Sequence, residues 1–166
     1  MSRKIGITAC SNPMRPSFSA DLARLCQILQ ELGFEPVLSP CLYDNGSGFS
    51  GTGAERAAAL MNLYRDPEIT DIFDISGGDM ANEVLPYLDF SVIAASGKRF
   101  WGYSDLTTIL NAIYTKTGKE AVLYQIRNLL YRHGEVQRRD FINTLQKNGN
   151  DLYDLDYHFI QGTDME

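Results

Sequence analysis

A chain of 166 residues is long enough for one domain with a sizeable core, and 44% hydrophobic against 22% charged residues excludes a disordered or fibrous protein. Fifteen Lys and Arg against 21 Asp and Glu leave a net charge of −6, which argues against a nucleic-acid backbone or an anionic membrane surface as the main partner. No apolar run approaches the roughly 18 residues of a membrane span. The lipoprotein-like Ile7-Thr8-Ala9-Cys10 is preceded only by Ile5-Gly6-Ile7, short of the roughly 7–15 residues of a signal core, so a cytoplasmic chain is expected. Cys10, Cys26 and Cys41 are odd in number and widely spaced, as suits reduced thiols better than a zinc site or a disulfide framework.

The first β-prone run is Lys4 to Ala9, ending at Ser11-Asn12-Pro13. Leu22, Leu25, Leu29 and Leu32 follow at helical spacing, and Gly33 stops that helix. Phe34 to Leu38 reads as a strand whose Pro36, with Pro40 beyond, suits a sheet edge. Asp44 to Gly51 is dense in turn formers and should form an exposed loop. Thr52-x-x-Glu55 is a capping box opening a helix that ends at Asp66-Pro67. Ile69 to Ile75 is the apolar run expected of a strand covered on both faces, and it leads into Ser76-Gly77-Gly78.

A short helix over Met80 to Leu85, a strand over Arg99 to Tyr103, a helix from Leu106 to Tyr114 closed by Gly118, and a strand at Val122 to Tyr124 come next. Val136 to Leu145 reads as a helix, and the alternation of Leu155, Tyr157 and Phe159 with Asp154, Asp156 and His158 as a last strand. The β-then-α alternation predicts an α/β domain over 1–166, an open and mainly parallel sheet with helices on both faces, flavodoxin-like or Rossmann-like. Tyr124, Tyr131, Tyr153 and Tyr157 read as half-buried packing residues, and Trp101 as core.

Ligands of such sheets bind beyond the carboxyl ends of the strands, which singles out Cys10-Ser11-Asn12, Ser76-Gly77-Gly78-Asp79 and Gly102-Tyr103-Ser104-Asp105. Gly77-Gly78 would let a backbone approach a ligand and offer free N–H groups, although glycine pairs also make ordinary turns. Neither a dinucleotide fingerprint nor a phosphate-binding loop is spaced here. Ser104 joins a strand to a helix without a linker. That is the setting of a nucleophile elbow, but Leu106 stands where the hydrolase G-x-S-x-G pattern has its second glycine, and a helix cap is the commoner use of such a serine. Asp154, Asp156 and His158 suit a solvated strand face better than a metal site.

Gly102-Tyr103-Ser104-Asp105-Leu106-Thr107, preceded by Ser76-Gly77-Gly78 with Leu85-Pro86-Tyr87-Leu88-Asp89 between them, resembles the LD-carboxypeptidase family of serine peptidases, which includes microcin-immunity-type enzymes. Glu55 to Met61 and Asp66-Pro67-Glu68-Ile69 add to the resemblance. It implies Ser104 as nucleophile, the backbone N–H groups of Gly78 and Asp105 as an oxyanion hole, and Ser11, Gly77 and Asp79 as substrate-binding residues. It also implies a Ser-His-Glu triad that cuts an L,D-peptide bond, releasing D-alanine from a murein tetrapeptide in cell-wall recycling, without metal or organic cofactor. Cleavage of a peptide-nucleotide conjugate is the alternative within the family, and a non-catalytic small-ligand module the alternative outside it.

Family members carry the catalytic Glu and His in a C-terminal domain, so the chain is expected to be an N-terminal domain, nearly inactive alone. The implied partners are a murein peptide, the C-terminal domain and a second copy in a homodimer. His133 and His158 are the only histidines, and surface roles are expected for both. Cys10 stands where relatives have proline, Asp79-Met80 replaces tyrosine-glycine, and Val122 to Gln125 replaces a His-Gly-Pro.

Overall fold

A computed structural model describes residues 3–131 and 134–146. Five parallel strands, β1 (Arg3–Thr8), β2 (Phe34–Leu38), β3 (Ile69–Asp74), β4 (Arg99–Gly102) and β5 (Val122–Leu123), form one sheet in the order β2-β1-β3-β4-β5. The helices are α1 (Ser19–Glu31), α2 (Gly53–Arg65), α3 (Phe90–Ala95), α4 (Thr107–Thr117) and α5 (Gly134–Gln146). The 2-1-3-4-5 order is the flavodoxin-like one, and it places proline-bearing β2 at an edge.

Strand alternation divides the core in two. Ile5, Ile7, Phe73 and Trp101 pack with Leu22, Leu25 and Leu29 of α1 and Phe141 and Leu145 of α5. Ile72 and Phe100 face the other way, toward Leu60 and Leu63 of α2, Ile93 of α3 and Ile109 and Ile113 of α4. A strand covered on both sides has no solvated face, so β3 carries Ile69, Ile72 and Phe73 on both of its sides and its aspartates, Asp71 and Asp74, are fully buried. Trp101 is core as expected, 1% exposed, with its ring 5.0 Å from that of Phe73.

The capping box is present: the Thr52 hydroxyl accepts from Glu55 N–H, and Glu55 accepts from Thr52 N–H at 2.8 Å. The short helix expected over Met80 to Leu85 is present as a 3-10 helix, Ala81–Tyr87, with Met80 at its N-cap and Pro86 inside it. One element, α3, has no counterpart in the sequence reading; the Asp89 carboxylate caps it by accepting from the N–H groups of Ser91 and Val92. Tyr131 is 59% exposed, against the half-buried role expected of it, and Tyr124 is partly buried as expected. The expected strand near Leu155, with Tyr153 and Tyr157, lies outside the described residues. Among the described residues no helix is long and apolar enough to cross a membrane.

Candidate active site

The strand order reverses between β1 and β3, which opens a crevice at their carboxyl ends, and the three loops singled out above meet there. Asn12 N–H donates to Gly77 O at 3.2 Å, and Asp79 N–H to Asn12 Oδ1 at 3.2 Å. The Ser11 hydroxyl donates to Asp105 Oδ2 at 2.5 Å and accepts from Met80 N–H at 3.2 Å. Ala81 N–H reaches the same carboxylate oxygen at 2.8 Å.

Beneath these loops lie two buried charges. Asp74 at the end of β3 accepts from Cys10 N–H at 2.7 Å and from the Ser76 N–H and hydroxyl at 2.8 and 2.5 Å, while Ser76 Oγ accepts from Ser11 N–H at 3.0 Å. Full burial pushes the Asp74 carboxyl above its usual range, against the opposing pull of the donors on Ser76 and Cys10. Arg56 of α2 has no exposed surface; its Nη1 donates to the carbonyls of Cys10 at 2.6 Å, Ser11 at 3.2 Å and Met80 at 3.4 Å, and its Nη2 pairs with Glu83. One terminal nitrogen of the guanidinium thus bridges carbonyls of two loops while the other pairs with a carboxylate, a division of contacts that a lysine's single nitrogen could not reproduce.

Ser104 follows β4 with only Tyr103 between. At φ +61° it is the one non-glycine residue in the left-handed region among the described residues, a conformation costing roughly 1–2 kcal/mol. The turn is tight: a Cβ on Gly102 would come within 2.7 Å of Leu106 Cβ. One 3-10 turn, Ser104–Leu106, then leads into α4, whose cap residue is Leu106. Capping therefore does not explain Ser104, whose side chain is exposed and makes no hydrogen bond to any described residue.

Gly77 flanks Ser104, since a methyl group placed on it would lie 4.0 Å from Ser104 Cβ. Gly78 has φ +132°, and a Cβ there would lie 2.1 Å from Asn12 Cγ, so only glycine lets these two loops touch. The N–H groups of Gly78 and Asp105 have no acceptor among the described residues; Asp105 follows Ser104 directly, and Gly78 follows Gly77, which flanks it. An exposed serine hydroxyl in a turn with free N–H groups is suited chemically to attack on a carbonyl group whose oxygen needs donors.

Of the residues expected at the site, Ser104, Gly78 and Asp79 are exposed, and Gly77 and Asp105 are partly buried. Ser11 is different. It is fully buried with its hydroxyl engaged by Asp105 and Met80, so it brackets the loops and has no surface to offer a substrate. Cys10 is likewise fully buried, which pushes its thiol well above the usual range and takes it out of the substrate-facing loops. His133, His158, Asp154 and Asp156 lie outside the described residues. Among the described residues, no three His, Cys, Asp or Glu side chains group as metal ligands would. Asp74, Arg56 and Gln125, which donates to Ser76 O at 3.3 Å, are site-building residues that sequence reasoning did not assign.

The family profile described as LD-carboxypeptidase N-terminal domain matches residues 5–125. The microcin C7 self-immunity protein MccF of Escherichia coli is 38% identical over 114 residues, covering 69% of this chain and 33% of that protein. The protein named "Probable murein peptide carboxypeptidase" of Bacillus subtilis (strain 168) is 34% identical over 114 residues, 69% of this chain and 35% of its own. Among solved structures, MccF in complex with glutamyl sulfamoyl guanosine superposes with a TM-score of 0.76 at 27% identity, over 93% of this chain and 48% of that one. Muramoyltetrapeptide carboxypeptidase from Oxalobacter formigenes gives 0.59 at 28%, over 68% and 37%. The chain thus spans about a third of the curated relatives it matches and under half of these solved chains. On the profile and the first relative together, the chain belongs to the LD-carboxypeptidase family and carries its N-terminal domain.

Proposed function

We propose that this chain is the nucleophile-bearing domain of a serine-type L,D-carboxypeptidase that releases D-alanine from a murein tetrapeptide in cytoplasmic cell-wall recycling. The observation that carries the reading is Ser104, a strained, exposed serine with an unengaged hydroxyl between the Gly77-Gly78 turn and the start of α4. Strain of this kind persists only where surrounding structure enforces it, and it concentrates at functional sites.

In this mechanism Ser104 Oγ attacks the carbonyl carbon of the scissile bond as its proton passes to a general base. The tetrahedral oxyanion is held by the N–H groups of Gly78 and Asp105, and the fixed donors need no reorganisation as charge develops. Collapse expels the D-alanine amine, which takes up a proton, and water then hydrolyses the acyl-serine. The base and its orienting carboxylate correspond to the family's His and Glu. Neither histidine lies among the described residues, and the second catalytic domain of the relatives is their expected source. Without a base, serine hydrolases keep only roughly 10³–10⁴-fold catalysis over water, so the 166-residue chain alone should turn over almost nothing.

The second reading is hydrolysis of a peptide-nucleotide conjugate, favoured by the 38% identity to MccF. A panel of murein tetrapeptide and aminoacyl sulfamoyl nucleosides, assayed by mass spectrometry on the product of the natural reading frame, separates the two. Release of D-alanine supports the first, cleavage of the conjugate alone the second, and binding without cleavage a non-catalytic module.

A further inference from the structure

A cleft of about 190 Å³ opens beside Gly77, between the loop after β1 and the 3-10 turn Ile126–Leu130 that follows β5. Asn12, Arg15, Phe18, Ile75, Gly77 and Arg127 line it. Its full lining holds two guanidinium groups and no carboxylate, in a chain whose net charge is −6. Arg127 is partly buried, its Nε is fully enclosed without a hydrogen-bond partner, and its guanidinium forms no ion pair with any described residue. A half-buried guanidinium without an acceptor is costly, and an anion entering the cleft would relieve that cost.

The position of Arg127 is fixed relative to the site. Its backbone N–H donates to Gln125 Oε1 at 3.3 Å, and Gln125 Nε2 donates to Ser76 O at 3.3 Å, one residue before Gly77. Gly77 is therefore shared: it lines the cleft, and a Cβ on it would lie 4.0 Å from Ser104 Cβ. In a peptide cut one residue from its end, the terminal carboxylate lies only a single residue beyond the attacked carbonyl. A cationic cleft lined by Gly77, the residue that also flanks Ser104, has the right chemistry and proximity to receive it.

We propose that the Gly77–Arg127 cleft takes the free terminal carboxylate of the substrate, with the Arg127 guanidinium as its charge partner and Arg15 at the rim. Arg127 is thus a specificity-determining residue that selects a free C-terminus over an internal or amidated one. This rests on the carboxypeptidase reading, and the test keeps the two apart by measuring binding as well as turnover.

The probe is a murein tetrapeptide ending in D-alanine, compared with its C-terminal amide, titrated by calorimetry into the product of the natural reading frame. The wild type should bind the acid about tenfold to a hundredfold more tightly than the amide, the worth of a charge-assisted hydrogen bond. Arg127→Met should erase that preference by weakening the acid alone, and Arg127→Lys should restore part of it. Thermal midpoints equal to the wild type show that each variant is folded. Acid preference that depends on Arg127 without any hydrolysis upholds the cleft and removes the peptidase reading. Hydrolysis with equal use of acid and amide, or an acid preference that survives in a folded Arg127→Met, overturns the cleft and leaves the peptidase reading standing.

Discussion

The Ser11 hydroxyl donates to the Asp105 carboxylate across 2.5 Å, tying the loop after β1 to the turn that carries Ser104. The same oxygen accepts from Ala81 N–H, so one carboxylate joins all three loops of the site. Asp105 thereby fixes its own backbone, whose N–H borders Ser104, through its side chain.

Removing that bracket should loosen the site measurably. Asp105→Ala leaves the Ser11 hydroxyl proton and the Ala81 N–H without an acceptor and should cost about 2–6 kcal/mol, at about 1–3 kcal/mol for each stranded donor. Urea denaturation of Ser11→Ala, Asp105→Ala and the double variant should show a coupling of about 1 kcal/mol or more. Additive losses would mean that the two side chains act independently.

The strain at Ser104 gives a prediction of opposite sign for stability and activity. Ser104→Gly relieves the left-handed backbone at the expense of added chain entropy, and should hold stability level or raise it by up to about 1 kcal/mol. Ser104→Ala keeps the strained Cβ and should stay within about 0.5 kcal/mol of the wild type. Both should lack turnover, so denaturation curves read alongside D-alanine release separate strain from chemistry.

Gly78 has no tolerance for a side chain. Gly78→Ala would put a methyl group against Asn12 at a backbone angle that alanine disfavours, and should cost more than about 1 kcal/mol. Amide exchange should quicken at Asn12 and Asp79 before it does in β1 or β3, because the damage is confined to the two loops.

Asp74 supplies a pH dependence. Its folded-state carboxyl titrates above its unfolded value, so the native state binds the proton more readily, and this group's contribution falls as pH rises through the acidic range from the unfolded value to the folded one. Asp74→Asn removes that slope. It also sets an amide donor against Cys10 N–H or the Ser76 donors, so the variant is less stable throughout. Urea midpoints measured from pH 7 downward should show the wild-type advantage growing as pH falls.

Much of this architecture is legible in the sequence. β3 declares itself by apolarity, β2 by its prolines, α2 by its capping box, and the Ser104 turn by a strand running into a helix without a linker. α3 is hidden because six residues carry too little periodicity, and its only signal is Asp89 followed by Ser91. The short helix before Pro86 is legible, but its 3-10 type is not, because propensity does not separate one tight helical turn from another. Arg56 and Asp74 are hard to read for a different reason. A charge inside an apolar helix face or a buried strand is itself the signal, and its partners are backbone groups that no spacing displays. Ser11 shows the converse, a serine in a ligand-facing loop whose side chain turns inward to Asp105.

The role of Ser104 is tested most directly by treating the folded product of the natural reading frame with a fluorophosphonate and mapping the adduct by peptide mass spectrometry. A nucleophilic Ser104 gives a single adduct on the peptide containing Tyr103-Ser104-Asp105, absent from a folded Ser104→Ala. A folded protein that takes no adduct, or one whose adduct survives in Ser104→Ala, would contradict that role.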